Sequence, residues 1–346
     1  MKFSRLEEIE SLAIVGATGM VGQELLQILE ERKIRVSRIL LLASEDSEGE
    51  TVEVGERSLP IEILTAGSFK DIEVAFFSVP GDVTRRFVPA ALEAGTLVID
   101  DSSVYRMHPE VPLVIPEING ATLREFQGKL ISQPNCSATP VAMCLRPLQE
   151  HFGVERVIVS TYQSVSGAGR KAYEELSAQT VALLNGSPSE PAVFPHPIAF
   201  NCLPEIGATL ESGATEEEDK IEKELRKLLD QPELRVSATA VRVPTFCGHG
   251  ASVNVELRED FGSIERVREL FDQFPGLKVL DNTAAHIYPT NLEVTGGDQT
   301  MVGRIRRDPS VDFGLSFWVM TDNLRKGAAL NSLQILETLY HYRRMS

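Results

Sequence analysis

Cysteine, long apolar runs and positive charge are all in short supply in this sequence, and each shortage removes a class of function. The four cysteines, at 136, 144, 202 and 247, form no CxxC pair and no metal-ligand spacing. That argues against a disulfide framework or a zinc site, and no metal is expected. No uninterrupted apolar stretch reaches membrane-spanning length, and the opening "MKFSRLEEIE" lacks the apolar segment of a signal peptide. A cytoplasmic location with no membrane partner is therefore expected, and thiols stay reduced there. Lysine and arginine number 34 against 50 aspartates and glutamates, a net charge of −16, which argues against nucleic acid as a partner. An anionic substrate would need local cations to hold it, because charges beyond about 8 Å are largely screened at physiological salt.

The chain has 346 residues, enough for two domains at roughly 150 residues each. Apolar runs at 12–15, 39–43, 74–78, 96–99 and 111–115 alternate with helical patterns such as 83–93. Such alternation predicts a parallel, doubly wound α/β sheet. From about residue 155 the pattern changes: 156–163, 237–244, 251–259, 300–308 and 312–323 read as strands, with few helices between. A mixed or antiparallel second sheet follows, with a last helix from about 325 to 342. The charged run 211–230 is periodic, with Ile221, Leu225, Leu228 and Leu229 in one stripe and Thr215–Glu218 as a capping box. It reads as a solvated helix.

Three stretches carry chemistry. "GATGMVG" (16–22) follows the first strand and opens a helix, an arrangement whose close-turning glycines and free N–H groups suit a pyrophosphate. Its spacing is GxxGxxG, and a tight turn without a ligand is the plain alternative. "ASEDSEGE" (43–50), after the second strand, lies where an adenosine ribose would sit. Glu45, Asp46 and Glu50 either meet free ribose hydroxyls or simply face water. In "QPNCSATP" (133–140), Cys136 precedes a helix carrying Val141, Cys144, Leu145 and Leu148, which Ser137 or Thr139 would cap. The positive helix end favours thiolate over a thiol of ordinary pKa about 8.5. Far along the chain, "AVRVPTFCGHGASV" sets Arg242 at a strand end and His249 on a glycine-flanked loop tip. The arginine would hold a carboxylate, and the imidazole would serve as a base for the distant thiol.

Taken together with further motifs, these residues make the sequence resemble the aspartate-semialdehyde dehydrogenases nearly end to end. The resemblance rests on "GATGMVGQELL", "DSSVYRM", "VPLVIPEIN", "PNCS", "STYQSVSGAGRKAYEEL", "FPHPIAFN", "VRVP", "VGRIRRD" and "DNLRKGAALN". It implies a Rossmann-like dinucleotide-binding domain (1–136), an α+β catalytic and dimerisation domain with a mixed sheet (137–324), and a C-terminal helix (325–346) returning to the cofactor domain. The implied reaction is NADP(H)-dependent reductive dephosphorylation of L-aspartyl-4-phosphate, in lysine, threonine and methionine biosynthesis, by a homodimer. Carried over by motif, Cys136 resembles the acyl-thioester nucleophile, His249 the acid/base and Gln163 the residue that orients the acyl group. Arg242 matches the α-carboxylate binder, Glu217 the amino-group contact, and Arg106, Lys220 and Asn135 the phosphate-binding set. Gly16, Thr18, Gly19, Met20, Val21, Ser44, Ser47, Ser166, Gly167 and Asn323 match cofactor contacts. Read without the family, Lys220 is a helix lysine paired with Glu216 or Glu217, and Arg106 a surface-loop arginine.

The chain departs from the family pattern in three places. Asp46 and Glu50 stand where the ribose loop usually has Arg and Lys, so NAD becomes possible beside NADP. Cys247 and Gly250 flank His249 where Arg and Ser are usual, and Asn291 replaces a proline. Those changes motivate the alternative of a catalytically silent dimeric paralogue; a related acyl-phosphate reductase is the other.

Overall fold

The computed structural model describes residues 8–54 and 57–345; residues 1–7, on which the leader reading rests, lie outside them. The chain divides into two compact units, Met1–Pro134 with Ala328–Ser346, and Asn135–Gly327. In the first, β1 (Glu8–Val15), α1 (Met20–Glu31), β2 (Arg35–Ala43), β3 (Thr51–Val54), β4 (Arg57–Ile63), β5 (Val74–Phe77), α2 (Gly81–Glu93), β6 (Leu97–Asp100), α3 (Pro116–Asn119) and β7 (Leu130–Ser132) follow one another. The sheet order is β3-β4-β2-β1-β5-β6-β7. Every pairing is parallel except the β3–β4 hairpin at the edge.

Alternation along β1 explains the two layers: Leu12 and Ile14 enter one core, Ala13 and Val15 the other. The expected strand at 111–115 is reduced to a single bridge, Leu113 to Ser132. Pro112 has no N–H to give a ladder, and Pro116 starts α3.

The second unit runs α4 (Ala138–Phe152), β8 (Val154–Gln163), α5 (Arg170–Leu184), α6 (Glu216–Leu228), β9 (Arg235–Arg242), β10 (His249–Leu257), α7 (Ile264–Gln273), β11 (Leu277–Val279), α8 (Asn291–Val294), β12 (Thr300–Asp308) and β13 (Gly314–Thr321). Its sheet is mixed, in the order β11-β12-β13-β10-β8-β9. The chain ends in α9 (Leu330–Met345), whose Leu330, Leu333, Leu336 and Leu339 complete the first unit's core with β1 and α1.

Two elements differ from their sequence reading. Helix α6 keeps its capping box and buries its apolar stripe, yet it is not a solvated helix: Glu217, Glu218 and Glu224 are buried too. Their carboxylates take N–H groups, as where Ala240 N donates to Glu218 Oε1 at 2.9 Å, so the burial is satisfied. His249 is not on a loop tip. It is the first residue of β10, paired with Thr321 on β13 and only 1% exposed.

Strand order fixes what meets at the sheet edge. β8 and β9 are parallel and in register, so Gln163 and Arg242 end side by side. β10 runs antiparallel to β8, with Gly250 opposite Tyr162, so it begins where β8 ends. Three side chains distant in sequence, Gln163, Arg242 and His249, therefore converge.

Candidate active site

Cys136 lies two residues ahead of α4, whose first turn is capped neither by Ser137 nor by Thr139. Asn135 does it: its Oδ1 accepts from Ser137 N at 2.8 Å and Ala138 N at 3.2 Å. The nucleophile is thus bracketed by a residue tied to the helix start. Asn135 is held at its other atoms as well. Its backbone N–H donates to Glu224 Oε2 at 2.5 Å and its Nδ2 to Glu217 Oε1 at 2.9 Å. Gln163 Nε2 shares that same Glu217 oxygen at 3.1 Å, and Thr161 Oγ1 fixes Gln163 Oε1 at 2.9 Å. Glu217 therefore ties the segment before the thiol to the sheet edge. Close beside the thiol, a side chain at Gly327 would come within 3.0 Å of Cys136 Cβ. By contrast Cys144 is fully buried, which pushes its thiol far above the ordinary range and leaves it inert.

Arg242 is buried, and its Nη1 donates to Ser164 O at 2.8 Å. Burial lowers its pKa, opposed by the charges of Glu217 and Cys136. Those opposing charges mark the carboxylate and the sulfur as its electrostatic neighbours. Lys220 makes the intrahelical pair that the plain reading expected, 3.7 Å from Glu217 Oε2 and part exposed. Its ammonium remains partly open to a ligand.

The tautomer of His249 follows from one bond. Ser164 N donates to Nδ1 at 3.1 Å, and a backbone N–H can only donate, so Nδ1 carries the lone pair. Burial, reinforced by the Arg242 charge, pushes the imidazole down to about pKa 3. A neutral ring with an acceptor at Nδ1 holds its proton on Nε2. That atom is buried with no hydrogen-bond partner among the described residues, a donor in want of an acceptor. Ser166 and Asn323 support the ring's surroundings: Asn323 Oδ1 accepts from Gly248 N at 3.0 Å and Ser164 Oγ at 3.2 Å, and its Nδ2 donates to Ser166 Oγ at 3.0 Å. Gly167 supplies space. A Cβ there would lie 2.9 Å from His249 Nε2 and 3.0 Å from Arg242 Nη1.

In the first unit, a side chain at Gly16 (φ +91°) would collide with Ser78 O, and one at Gly22 with Gly16 O. Gly19 precedes α1, which no side chain caps, so first-turn N–H groups at Met20 and Val21, beside Thr18, face outward for an anion. This cradle fits a dinucleotide pyrophosphate. Ser44, Glu45, Asp46 and Glu50 are exposed just beyond β2, with Ser47 half-buried. Arg106 is not a surface arginine: it is buried, its Nη2 donating to Asp101 O at 2.6 Å and lying 3.8 Å from the Asp101 carboxylate. Gln133 Nε2 and Ser78 Oγ also bond that carboxylate, at 2.5 Å and 3.2 Å. Burial lifts Asp100 and Asp101 to about pKa 6 even so, the Arg106 charge offsetting only part of it.

Sequence reasoning missed Ser164 and Glu224, and it marked Asn291 only as a departure from the family pattern, without a role. Ser164 acts on His249 and Arg242 partly through backbone atoms, which leave no signature in residue type, and the other two are polar residues whose partners are set by tertiary approach.

The pattern described as "Semialdehyde dehydrogenase, NAD binding domain" matches residues 11–126, and "Semialdehyde dehydrogenase, dimerisation domain" matches 145–326. The aspartate-semialdehyde dehydrogenase of Aquifex aeolicus is 44% identical over 331 residues, covering 95% of this chain and 97% of that one. The Bacillus subtilis enzyme of the same name is 40% identical over 335 residues, covering 95% and 96%. A crystal structure of aspartate semialdehyde dehydrogenase II from Vibrio cholerae, complexed with ASA, superposes with a TM-score of 0.92 at 39% identity, covering 98% of this chain and 99% of that one. With two family patterns across most of its length and relatives above 40% identity, the chain belongs to the aspartate-semialdehyde dehydrogenase family.

Proposed function

We propose that this protein converts L-aspartyl-4-phosphate to L-aspartate 4-semialdehyde and phosphate through a thioester on Cys136, as a cytoplasmic homodimer. One observation carries the reading: Glu217 bonds both Asn135, beside the thiol, and Gln163, beside Arg242 and His249. The Cys136 thiolate, favoured by the α4 N-terminus and the Arg242 charge, attacks the acyl carbon. The C–S bond forms as the C–O bond to phosphate breaks, and phosphate leaves with the electron pair. His249, neutral and with its buried Nε2–H unpartnered among the described residues, donates a hydrogen bond to the oxygen on which charge develops. A neutral imidazole does this without the cost of burying a cation.

Arg242 holds the α-carboxylate and Glu217 the ammonium group, while Lys220, Asn135 and Arg106 serve the phosphate. One hydrogen of Asn135 Nδ2 is already spent on Glu217, which leaves the other for this task. A nicotinamide cofactor, when held there, would supply hydride to the thioester carbonyl. When the C–S bond then breaks, thiolate is regenerated and the oxygen releases the Nε2–H hydrogen bond. The glycine cradle at Gly16–Val21, Ser44 and Ser47, together with Ser166, Gly167 and Asn323, would hold the dinucleotide.

Turnover of aspartate semialdehyde with phosphate and oxidised cofactor tests the reaction. No turnover, or turnover only with an N-acetylated substrate, defeats it. With exposed Asp46 and Glu50 beside Ser44 and Ser47, discrimination between NADP and NAD is expected to be relaxed. A preference for NADP above about a thousandfold, roughly 4 kcal/mol, would mean these carboxylates never face the ribose. Gly167→Ala is expected to cut kcat about tenfold or more, because its methyl needs the room now between His249 and Arg242. Parent kcat in that variant would mean the imidazole tolerates displacement.

A further inference from the structure

The turn that launches His249 is gripped from two sides. Asn291, the first residue of α8, spends both amide hydrogens on it, with Nδ2 2.8 Å from Cys247 O and 2.8 Å from Gly248 O. From the other side Asn323 Oδ1 takes the Gly248 N–H at 3.0 Å. Gly248 itself is left-handed (φ +83°), and a Cβ there would lie 2.9 Å from Val294 Cγ2 and 3.2 Å from Asn291 Nδ2. The turn is therefore packed closely against both ends of the short α8. Carbonyl 247, amide 248 and carbonyl 248 are all committed, so neither peptide plane is free to rotate. The second plane leads directly to the Cα of His249.

We propose that Asn291 is the positioning residue for His249, holding the Gly248–His249 peptide so that Nε2 keeps its aim while Ser164 keeps its tautomer. The proposal rests on His249 being the hydrogen-bond donor of the reaction. Asn291 has no need to meet the substrate. It acts because an error of about 1 Å in a catalytic group costs on the order of a hundredfold in rate.

Asn291→Ala removes the Nδ2 hydrogen bonds to both carbonyls, and Asn291→Asp, of equal size, sets carboxylate oxygens against them. The expected order of kcat is parent, then Ala about tenfold lower, then Asp lower still. KM for aspartate semialdehyde and phosphate should stay within about threefold. Alkylation of Cys136 by iodoacetamide, followed by peptide mass, should keep the parent rate, since the thiol's supports are untouched.

A packing role would give the opposite order, Asp near parent and Ala impaired, and overturns the proposal. Equal losses in kcat and in Cys136 alkylation mark general loosening and overturn it too. Nitrogen-15 NMR of the imidazole separates this from failure of the reaction itself. The parent should show a single Nε2–H tautomer for His249, and Asn291→Ala the same tautomer, kept by Ser164, with displaced imidazole nitrogen resonances, whether or not the chain turns over aspartate semialdehyde. Identical imidazole spectra in the two proteins also defeat the proposal.

Discussion

Cys136→Ser is expected to lower turnover of aspartate semialdehyde about a thousandfold or more, with fold and cofactor affinity unchanged. The exchange alters one atom at a half-buried position, so packing has little to lose. What is lost is ionisation. The α4 N-terminus and the Arg242 charge stabilise a thiolate, but an alkoxide lies too far up in pKa for the same field to produce it. A serine ester would also be a poorer hydride acceptor and a poorer leaving group than a thioester. Steady-state rates with phosphate and oxidised cofactor, read beside thermal unfolding, decide the matter. Activity within tenfold of the parent would remove the covalent route.

His249→Asn comes second, with kcat expected to drop between about a hundredfold and ten thousandfold. Asparagine fills similar space without reaching as far as Nε2. The same variant reads out the buried ring's proton balance. The imidazole titrates near pH 3 when folded and near 6.5 when unfolded, so between those limits the unfolded chain binds the extra proton. Stability from this group is thus present above pH 6.5 and lost as pH falls, by about 1.4 kcal/mol per pH unit. Asp100 and Asp101, raised to about 6, act oppositely: their contribution is present at low pH and lost as pH climbs from 3.8 through 6. Subtracting the variant's unfolding free energy from the parent's cancels both acids. Between pH 7 and pH 4 the difference should move by about 3 kcal/mol in the variant's favour. A flat difference curve would mean that His249 is protonated in the folded protein.

Periodicity and glycine spacing made much of the architecture legible. The parallel sheet, the phosphate turn and the change to a mixed sheet follow from alternation and from helix starts, which are local. Cys136 could be singled out because a helix begins right after it. The helix's cap could not: Ser137 and Thr139 have the right chemistry, but Asn135 has the right geometry, set by two glutamates more than eighty residues away. His249 was legible as a residue and misread as a loop tip, because strand pairing with Thr321 depends on a partner seventy residues on.

The three departures around it, Cys247, Gly250 and Asn291, read as separate substitutions in sequence. In the fold they are neighbours. Asn291 holds the Cys247 carbonyl. Any side chain at Gly250 would fall within 2.6 Å of the Trp318 ring. That ring meets Tyr162 edge-on at 5.2 Å and anchors its Nε1 on Pro289 O at 3.1 Å. Contacts between side chains of unrelated segments leave no trace in spacing, and this is where sequence reasoning ended.

The last helix sets a timetable for synthesis. One face of the seven-stranded sheet is sealed by Leu330, Leu333, Leu336 and Leu339 of α9, residues synthesised only after the whole of the second unit. Until then the nascent amino-terminal half displays bare aliphatic surface, while the segment between can already complete its own core. Slow elongation through residues 135–327 would prolong that exposure and raise the demand on chaperones.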